Sequence, residues 1–395
     1  MNISCVAKES CTGCGACRSL CPKSCIEMSA DEYGNIYPLV DTNECIDCGK
    51  CTKVCPSINP VELYNVKKAF AGWHANAEVR RLSASGGVAS ALYDYFQSIN
   101  AVCYGVILQE GKCYFEKSYA DDKASDKFRN SKYVHTEIGI VIADIINELK
   151  NGNKVFCVGV PCQIAAIRNC IGTKYESDIT LVDLICHGMT SLDYLNQHVS
   201  NAACNRKVDS IYFRNPMYGT ENYHFTLEDS KGIFYNKTVA DADEYQIGYH
   251  KGIIYRDNCY HCRYAKVDRV GDITLADYWG LGKDYPWHDT TENVNLVYGV
   301  TDKGLQILNE AEKLGFLVLH ERPIKESVST QGQLNKPTSV TVRQKKFRAN
   351  YKRSKDFDSS IQKSMKWDIK FLGTPHYSKL LLIRRIIKKI FKVEL

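Results

Sequence analysis

Cys11-Thr12-Gly13-Cys14-Gly15-Ala16-Cys17-Arg18-Ser19-Leu20-Cys21-Pro22 recurs 34 residues later as Cys45-Ile46-Asp47-Cys48-Gly49-Lys50-Cys51-Thr52-Lys53-Val54-Cys55-Pro56. The shared spacing, C-x2-C-x2-C-x3-C-P, is a bacterial iron–sulfur signature. Three cysteines on one tight loop face three irons of a cube. The fourth cannot close on the same cube and crosses to the other. The spacing therefore predicts one [4Fe-4S] cluster on Cys11, Cys14, Cys17 and Cys55, and a second on Cys45, Cys48, Cys51 and Cys21. Gly13, Gly15 and Gly49 let backbone approach the inorganic sulfides, while Pro22 and Pro56 end each turn. A zinc module would need four ligands, whereas eight stand here in duplicated iron–sulfur spacing. Cys5 and Cys25 fall outside the pattern and read as small buried apolar residues. Two copies without helical period do not make a repeat array.

The chain of 395 residues is long enough for two or three compact units, and 44% hydrophobic and 24% charged residues are those of a globular protein. The 19 cysteines call for a reducing compartment, because the start Met1-Asn2-Ile3-Ser4-Cys5 has neither basic n-region nor apolar h-region. No uncharged apolar run reaches the roughly 18–20 residues of a membrane span. A cytoplasmic location is expected, attachment to the inner face of the membrane included. Residues 343–395 hold 16 Lys and Arg against 4 Asp and Glu, a balance of +12, and the remainder balances to −6. An acidic body with a basic end argues against nucleic acid as a partner.

Beyond Ser57-Ile58-Asn59-Pro60, a short linker, strand-like and helix-like stretches alternate. Strands are expected at Val102–Leu108, Tyr114–Tyr119, Lys154–Val160, Ile179–Ile185, Ile273–Ala276, Asn295–Val300 and Phe316–Leu319. Helices are expected at Val88–Gln97, Thr136–Lys150, Gln163–Cys170, Ser191–Ala202 and Lys303–Leu314, with a largely β stretch near 208–240. The fold class is thus an α+β ferredoxin-like two-cluster module (1–62), an α/β flavoprotein domain (63–342) and a basic, partly helical tail (343–395).

Four features of the body carry chemistry. Ser83-Ala84-Ser85-Gly86-Gly87 precedes a helix, where free N–H groups suit a phosphate, although a simple Ser cap gives the same pattern. Pro161-Cys162-Gln163 and Cys186-His187-Gly188 each follow a strand, where ligands gather in α/β sheets. Cys259-Tyr260-His261-Cys262 leads into Gly271-Asp272-Ile273-Thr274-Leu275-Ala276-Asp277-Tyr278-Trp279-Gly280. His135, His187 and His261 read as hydrogen-bonded loop residues, and Asp272 and Asp277 serve a cap or turn as readily as a ligand. No catalytic residue is singled out.

At these residues, together with Ser131-Lys132-Tyr133-Val134 and Gly159–Gln163, the chain resembles the beta subunit family of coenzyme F-420 hydrogenases and dehydrogenases. The resemblance covers nearly everything before residue 330. It implies FAD, one or more [4Fe-4S] clusters, and reduction of a deazaflavin or another acceptor. Related chains also occur in bacterial surface-polysaccharide gene clusters. A flavin converts between the single electrons of cubane clusters and the pairs of a hydride carrier. FAD is expected near Ser83, Ser85, Gly86, Gly87, Lys132, Pro161 and Gln163, with Lys132 adding charge at the pyrophosphate and Gln163 donating to a ring oxygen. A third cluster is expected on Cys162, Cys186, Cys259 and Cys262. Spacing does not dictate this set. Two members sit on strand-end loops and two form the remaining C-x2-C pair, whereas Cys157 lies within a strand and Cys170 on a helix.

The expected activity is that of an iron–sulfur flavoprotein oxidoreductase, with a redox protein or a small-molecule acceptor as partner. The alternative is an electron-relay subunit without a substrate, or a membrane-surface partner in a polysaccharide-related complex. The last rests on Tyr377–Leu395, where Leu380, Ile383, Ile387, Ile390 and Phe391 recur at helical spacing among Arg384, Arg385, Lys388, Lys389 and Lys392. The same segment suits packing on the protein's own acidic body.

Overall fold

The computed structural model describes residues 1–372. The expected amphipathic helix at 377–395 lies outside the described residues. Strand β1 (Ile26–Ala30) pairs with β2 (Ile36–Val40) as an antiparallel hairpin beside two one-turn helices, Ala16–Ser19 and Lys50–Lys53. Each of these helices carries the third cysteine of one motif copy, and each starts from a glycine in the left-handed region, Gly15 at φ 76° and Gly49 at φ 71°.

The body contributes β3 (Lys68–His74), β4 (Val102–Gln109), β5 (Lys112–Ser118), β6 (Val155–Gly159), β7 (Ile179–Leu184), β8 (Ser210–Tyr212), β9 (Phe225–Asp229), β10 (Gly232–Lys237), β11 (Ile273–Asp277), β12 (Asn295–Gly299) and β13 (Leu317–Arg322). Eight of them form one mixed sheet in the order β13-β3-β12-β11-β7-β6-β4-β5, and β10-β9-β8 form a small antiparallel sheet. The middle of the large sheet, β11-β7-β6-β4, is parallel. Parallel strands put the chain exits of β6, β7 and β11 on one edge, where ligand sites form.

Side chains alternate across this sheet. Val155 and Cys157 of β6 join a core with Ile142, Ile145, Ile164 and Ile167 from the helices Gly139–Lys150 and Pro161–Ile171. Phe156 points the other way, to Leu92 and Phe96 of the helix Val88–Ser98 and to Leu308 of the helix Asp302–Lys313. The expected strands and helices of the body are present with shifted ends. The helix expected from Thr136 begins at Gly139, and the strand expected from Tyr114 begins at Lys112.

Two features of the packing go beyond those expectations. Residues up to 372 of the supposed tail are packed: the helices Val342–Ser354 and Phe357–Phe371 form a hairpin that buries Phe347, Tyr351, Phe357, Ile361 and Met365 against Phe213, Phe225, Tyr245 and Ile247. The lysines lie on the outer sides of these helices, away from the apolar residues that pack inward. The N-terminal module shares a core with the body. Cys14, Ala16 and Val54 belong to the same core as the sheet. The Gly139 amide donates to the Cys14 carbonyl at 2.8 Å, and Arg263 and Asn169 donate to the carbonyls of Pro56 and Asn59.

Gly139 is where module and body meet backbone to backbone: a Cβ there would run into the Gly15 carbonyl. Gly139→Val should therefore destabilise the junction by about 1–3 kcal/mol, the usual cost of overpacking. Thermal unfolding checks this, and an unchanged midpoint would mean that the contact gives way freely.

Candidate functional site

The two motif copies assemble as two groups of thiols that exchange their fourth member. Cys11, Cys14, Cys17 and Cys55 lie within mutual electrostatic reach, with Cys14 pushed up to about 11 by burial above all. Cys21, Cys45, Cys48 and Cys51 line a separate small cavity. Cys55 stands with the first loop and Cys21 with the second, the arrangement the crossed ligation requires. Cys25 also lines the second cavity, its sulfur 3.4 Å from that of Cys21, and Cys5 is exposed; neither is a plain core residue. Cys48 is exposed, whereas Cys14 and Cys17 are buried. The second group therefore faces outward and the first faces the body.

A third group forms at the exits of the parallel strands. Cys162 is the second residue of the helix after β6, and Cys186 follows β7 by two residues. Cys259 lies on the one-turn helix Asp257–His261, and Cys262 directly follows it. All four line one small cavity with Thr12, His135, Arg256 and Tyr264. Burial, followed by the neighbouring thiolates, raises Cys162 and Cys186, and burial pushes Cys259 up to about 12. Four thiols facing one cavity are costly as thiolates without a cation, and an iron–sulfur cluster would supply that charge. Cys14 of the first ferredoxin group is among the charges bearing on Cys162, so the two groups are neighbours. Arg256, 1% exposed, closes the junction by donating to the carbonyls of Ile36 at 2.9 Å and Cys11 at 3.5 Å. His135 sits against the Thr12 carbonyl at 3.2 Å, and burial holds its pKa well below the ordinary imidazole value. His261 is exposed.

Above the third group lies a cavity of about 310 Å³. It shares Val160, Gln163, Cys186, His187 and Met189 with the thiol cavity, so the two are separated by single side chains. Ser83, Ser85, Gly87, Lys132 and Gln163 all line it. Their own bonds narrow what each contributes. Ser83 donates to the Val79 carbonyl and Ser85 to that of Val294. The first helical amide, Val88, donates to Asn295 Oδ1 at 3.1 Å. Gly86 packs against strands rather than the cavity: a Cβ there would stand 2.6 Å from the Gly72 carbonyl oxygen. Lys132 donates to the carbonyls of Phe128 and Arg129, and burial pushes it down to about 8. Gln163 accepts from the Val160 amide at 2.9 Å and donates to Thr136, which leaves its amide no free donor for a ring oxygen in this conformation. Pro161 occupies the first helical position.

Of the cavity's polar wall the sequence offers Asp277, His187 and Tyr133 but not Arg214, Tyr223, Tyr249 or His250. Arg214, 5% exposed, pairs with both carboxylate oxygens of Asp277 at 2.8 and 2.7 Å and lies over the Tyr223 ring. Tyr133 stacks on Tyr249 with centroids 4.4 Å apart. Burial, then the charges of His187 and Arg214, push His250 down to about 4, so its ring is neutral at neutral pH. Trp279 is 37% exposed at the mouth. Asp272 is elsewhere, accepting from the Leu181 amide and pairing with Lys303. Arg129 Nε and Asn130 Oδ1, both of residues that line the cavity, are buried without partners among the described residues. Such orphaned atoms, in a cleft with aromatic and cationic walls, fit a planar, phosphate-bearing cofactor.

Two family models match the chain. Residues 10–58 match the 4Fe-4S dicluster domain, and residues 152–325 match the family described as the C terminus of the coenzyme F420 hydrogenase/dehydrogenase beta subunit. No curated protein matches the chain. Among solved structures, a chain of the F420-reducing [NiFe] hydrogenase complex from Methanosarcina barkeri is similar, with 17% identity, a TM-score of 0.45, and coverage of 69% of this chain and 90% of that one. A dicluster domain at residues 10–58 thus precedes, at residues 152–325, a domain that matches the C terminus of the coenzyme F420 hydrogenase/dehydrogenase beta subunit.

Proposed function

We propose that the chain is an iron–sulfur flavoprotein that passes electrons between a one-electron protein partner and a two-electron small-molecule acceptor, through three [4Fe-4S] clusters and FAD. One observation carries this reading: the cysteine groups are consecutive. The outer group adjoins the inner one, Cys51 and Cys21 sharing one packed cluster with Cys17 and Cys55, and Cys14 adjoins Cys162. The cavity around Cys162 then opens, across Val160, Cys186 and His187, on the large cavity. A redox protein would dock at the outer group, where Ile46 and Leu39 are 59% and 60% exposed.

FAD, when bound, supplies the conversion between single electrons and electron pairs. Tyr133, Arg214, Asp277 and His250 would hold and orient it and the acceptor, with Trp279 at the mouth and Arg129, Asn130 and Lys132 facing the anionic part. The acceptor is a deazaflavin-like or other hydride-accepting molecule. Full-length protein purified without oxygen should release about one FAD per chain on denaturation, and should reduce one member of a panel of two-electron acceptors. Clusters without flavin would point instead to a relay subunit. Among the described residues no helix is long and apolar enough to cross a membrane.

A further inference from the structure

Many buried tyrosines of this protein are bonded through their hydroxyls. Tyr93 donates to the Tyr104 carbonyl, Tyr104 to Asp144, Tyr245 to the Tyr133 carbonyl, Tyr255 to that of Tyr249, Tyr260 to that of Gly252 and Tyr278 to Glu326. Tyr264 differs. It is 6% exposed, and its hydroxyl is buried with no partner among the described residues. A buried hydroxyl without an acceptor is costly, and natural proteins rarely leave one so. Its surroundings supply sulfur. Tyr264 lines the third thiol cavity, two residues after Cys262, and the charges that bear on it include those of Cys162, Cys262 and Cys14. The ring thus stands between the third cysteine group and the inner ferredoxin group. The preceding residue is pinned to the ferredoxin module, Arg263 donating to the Pro56 carbonyl at 3.1 Å.

We propose that the Tyr264 hydroxyl donates a hydrogen bond to a sulfur of the cluster held by Cys162, Cys186, Cys259 and Cys262, and thereby sets that cluster's reduction potential above the value its burial alone would give. This rests on the three-cluster reading above. The physical basis is simple. A cubane cluster becomes more negative on reduction, and a donor aimed at its sulfur stabilises the reduced form more than the oxidised one. The charges of Arg256 and Arg269 also bear on these thiols, and the hydroxyl adds a directed donor to that positive field. The step from the inner ferredoxin cluster to the one beside the large cavity is thereby made more favourable than it would be without the hydroxyl. Tyr264 is a positioning and tuning residue: it touches neither acceptor nor flavin cavity.

The test is a potentiometric titration followed by electron paramagnetic resonance, on full-length, anaerobically reconstituted protein. Tyr264→Phe should keep all its iron and lower the midpoint of one cluster, leaving the other two unmoved. Retained iron with three unchanged midpoints would overturn the proposal. Wild-type protein with only two cluster signals would overturn the three-cluster reading and the proposal with it, a result distinguishable from the first. Should the Phe variant lose iron, a ring-fluorinated tyrosine at position 264 decides the matter. It keeps the shape and donates more strongly, so the same midpoint should rise; an unmoved midpoint would again contradict the assignment.

Discussion

Cys259→Ala in the full-length chain should lower bound iron from about twelve to about eight atoms per chain. Cys259 is the buried member of the C-x2-C pair after the small sheet, and its sulfur accepts from the Met189 amide at 3.4 Å. Alanine removes one ligand and little volume, so the fold should survive while the third cluster does not assemble. The ferredoxin clusters, whose ligands come from residues 11–55, should remain. Flavin should still bind, but electrons from a one-electron donor should no longer reach it at a useful rate, because the link beside the large cavity is gone. Cys157→Ala is the control. Cys157 is as buried as Cys259, but it points from β6 into the apolar core among Ile142, Ile145 and Ile164. Its loss should leave all of the iron in place. Iron and sulfide analysis of the two variants side by side separates a ligand from a core thiol.

Loss of the His198 side chain should destabilise the protein by about 3–5 kcal/mol, the scale for breaking a buried ionic group. His198, 1% exposed, lies on the helix Leu192–Ala203. Its two ring nitrogens contact Asp358 at 2.7 Å and Asp243 at 3.1 Å. Those carboxylates begin two other helices, Glu244–His250 and Phe357–Phe371, so one imidazolium ties the C-terminal hairpin to the body. Burial alone would lower its pKa, but the charge of Asp243 and the bonds to both carboxylates override it and push it up to about 10. The sign follows. In the unfolded chain the ring titrates near about 6.5, so the stabilisation is complete below that pH. It declines as pH rises and is gone once pH passes the folded value of about 10. Denaturant titrations of wild type and His198→Ala across this window should draw closer toward the alkaline end, leaving only the packing of the ring on Phe225, Tyr245 and Phe357. A difference independent of pH would show that the residue acts by packing alone.

How much of the fold and site is legible in the sequence varies with the physics of each part. The doubled cysteine spacing is local, so both thiol groups and their exchange of a fourth member can be read directly. Strands such as Val155–Gly159 and Ile179–Leu184 are visible as short apolar runs before turn residues. Strand β3 is not, because Lys-Ala-Phe-Ala-Gly-Trp-His has no alternation: six of its seven residues are buried on both faces. The hairpin at 342–371 is hidden by composition. Its lysines and arginines dominate the count, while the stripe of Phe347, Tyr351, Phe357, Ile361 and Met365 that decides its packing is sparse. The third thiol group can be suggested but not deduced, since parallel strands bring Cys162 and Cys186 together and a separate loop delivers Cys259 and Cys262. Arg214 and Tyr264 carry no sequence signal at all; their roles follow from burial and from what lies opposite them.

Electrons are expected to reach the large cavity through the cysteine groups. Rapid mixing of the anaerobic, flavin-loaded full-length chain with a reduced one-electron donor protein tests this most directly. Cluster absorbance should bleach first and flavin absorbance second, with the second phase lost in Cys259→Ala. Flavin that bleaches equally fast in that variant, or clusters that bleach while flavin stays oxidised in the wild type, would contradict it.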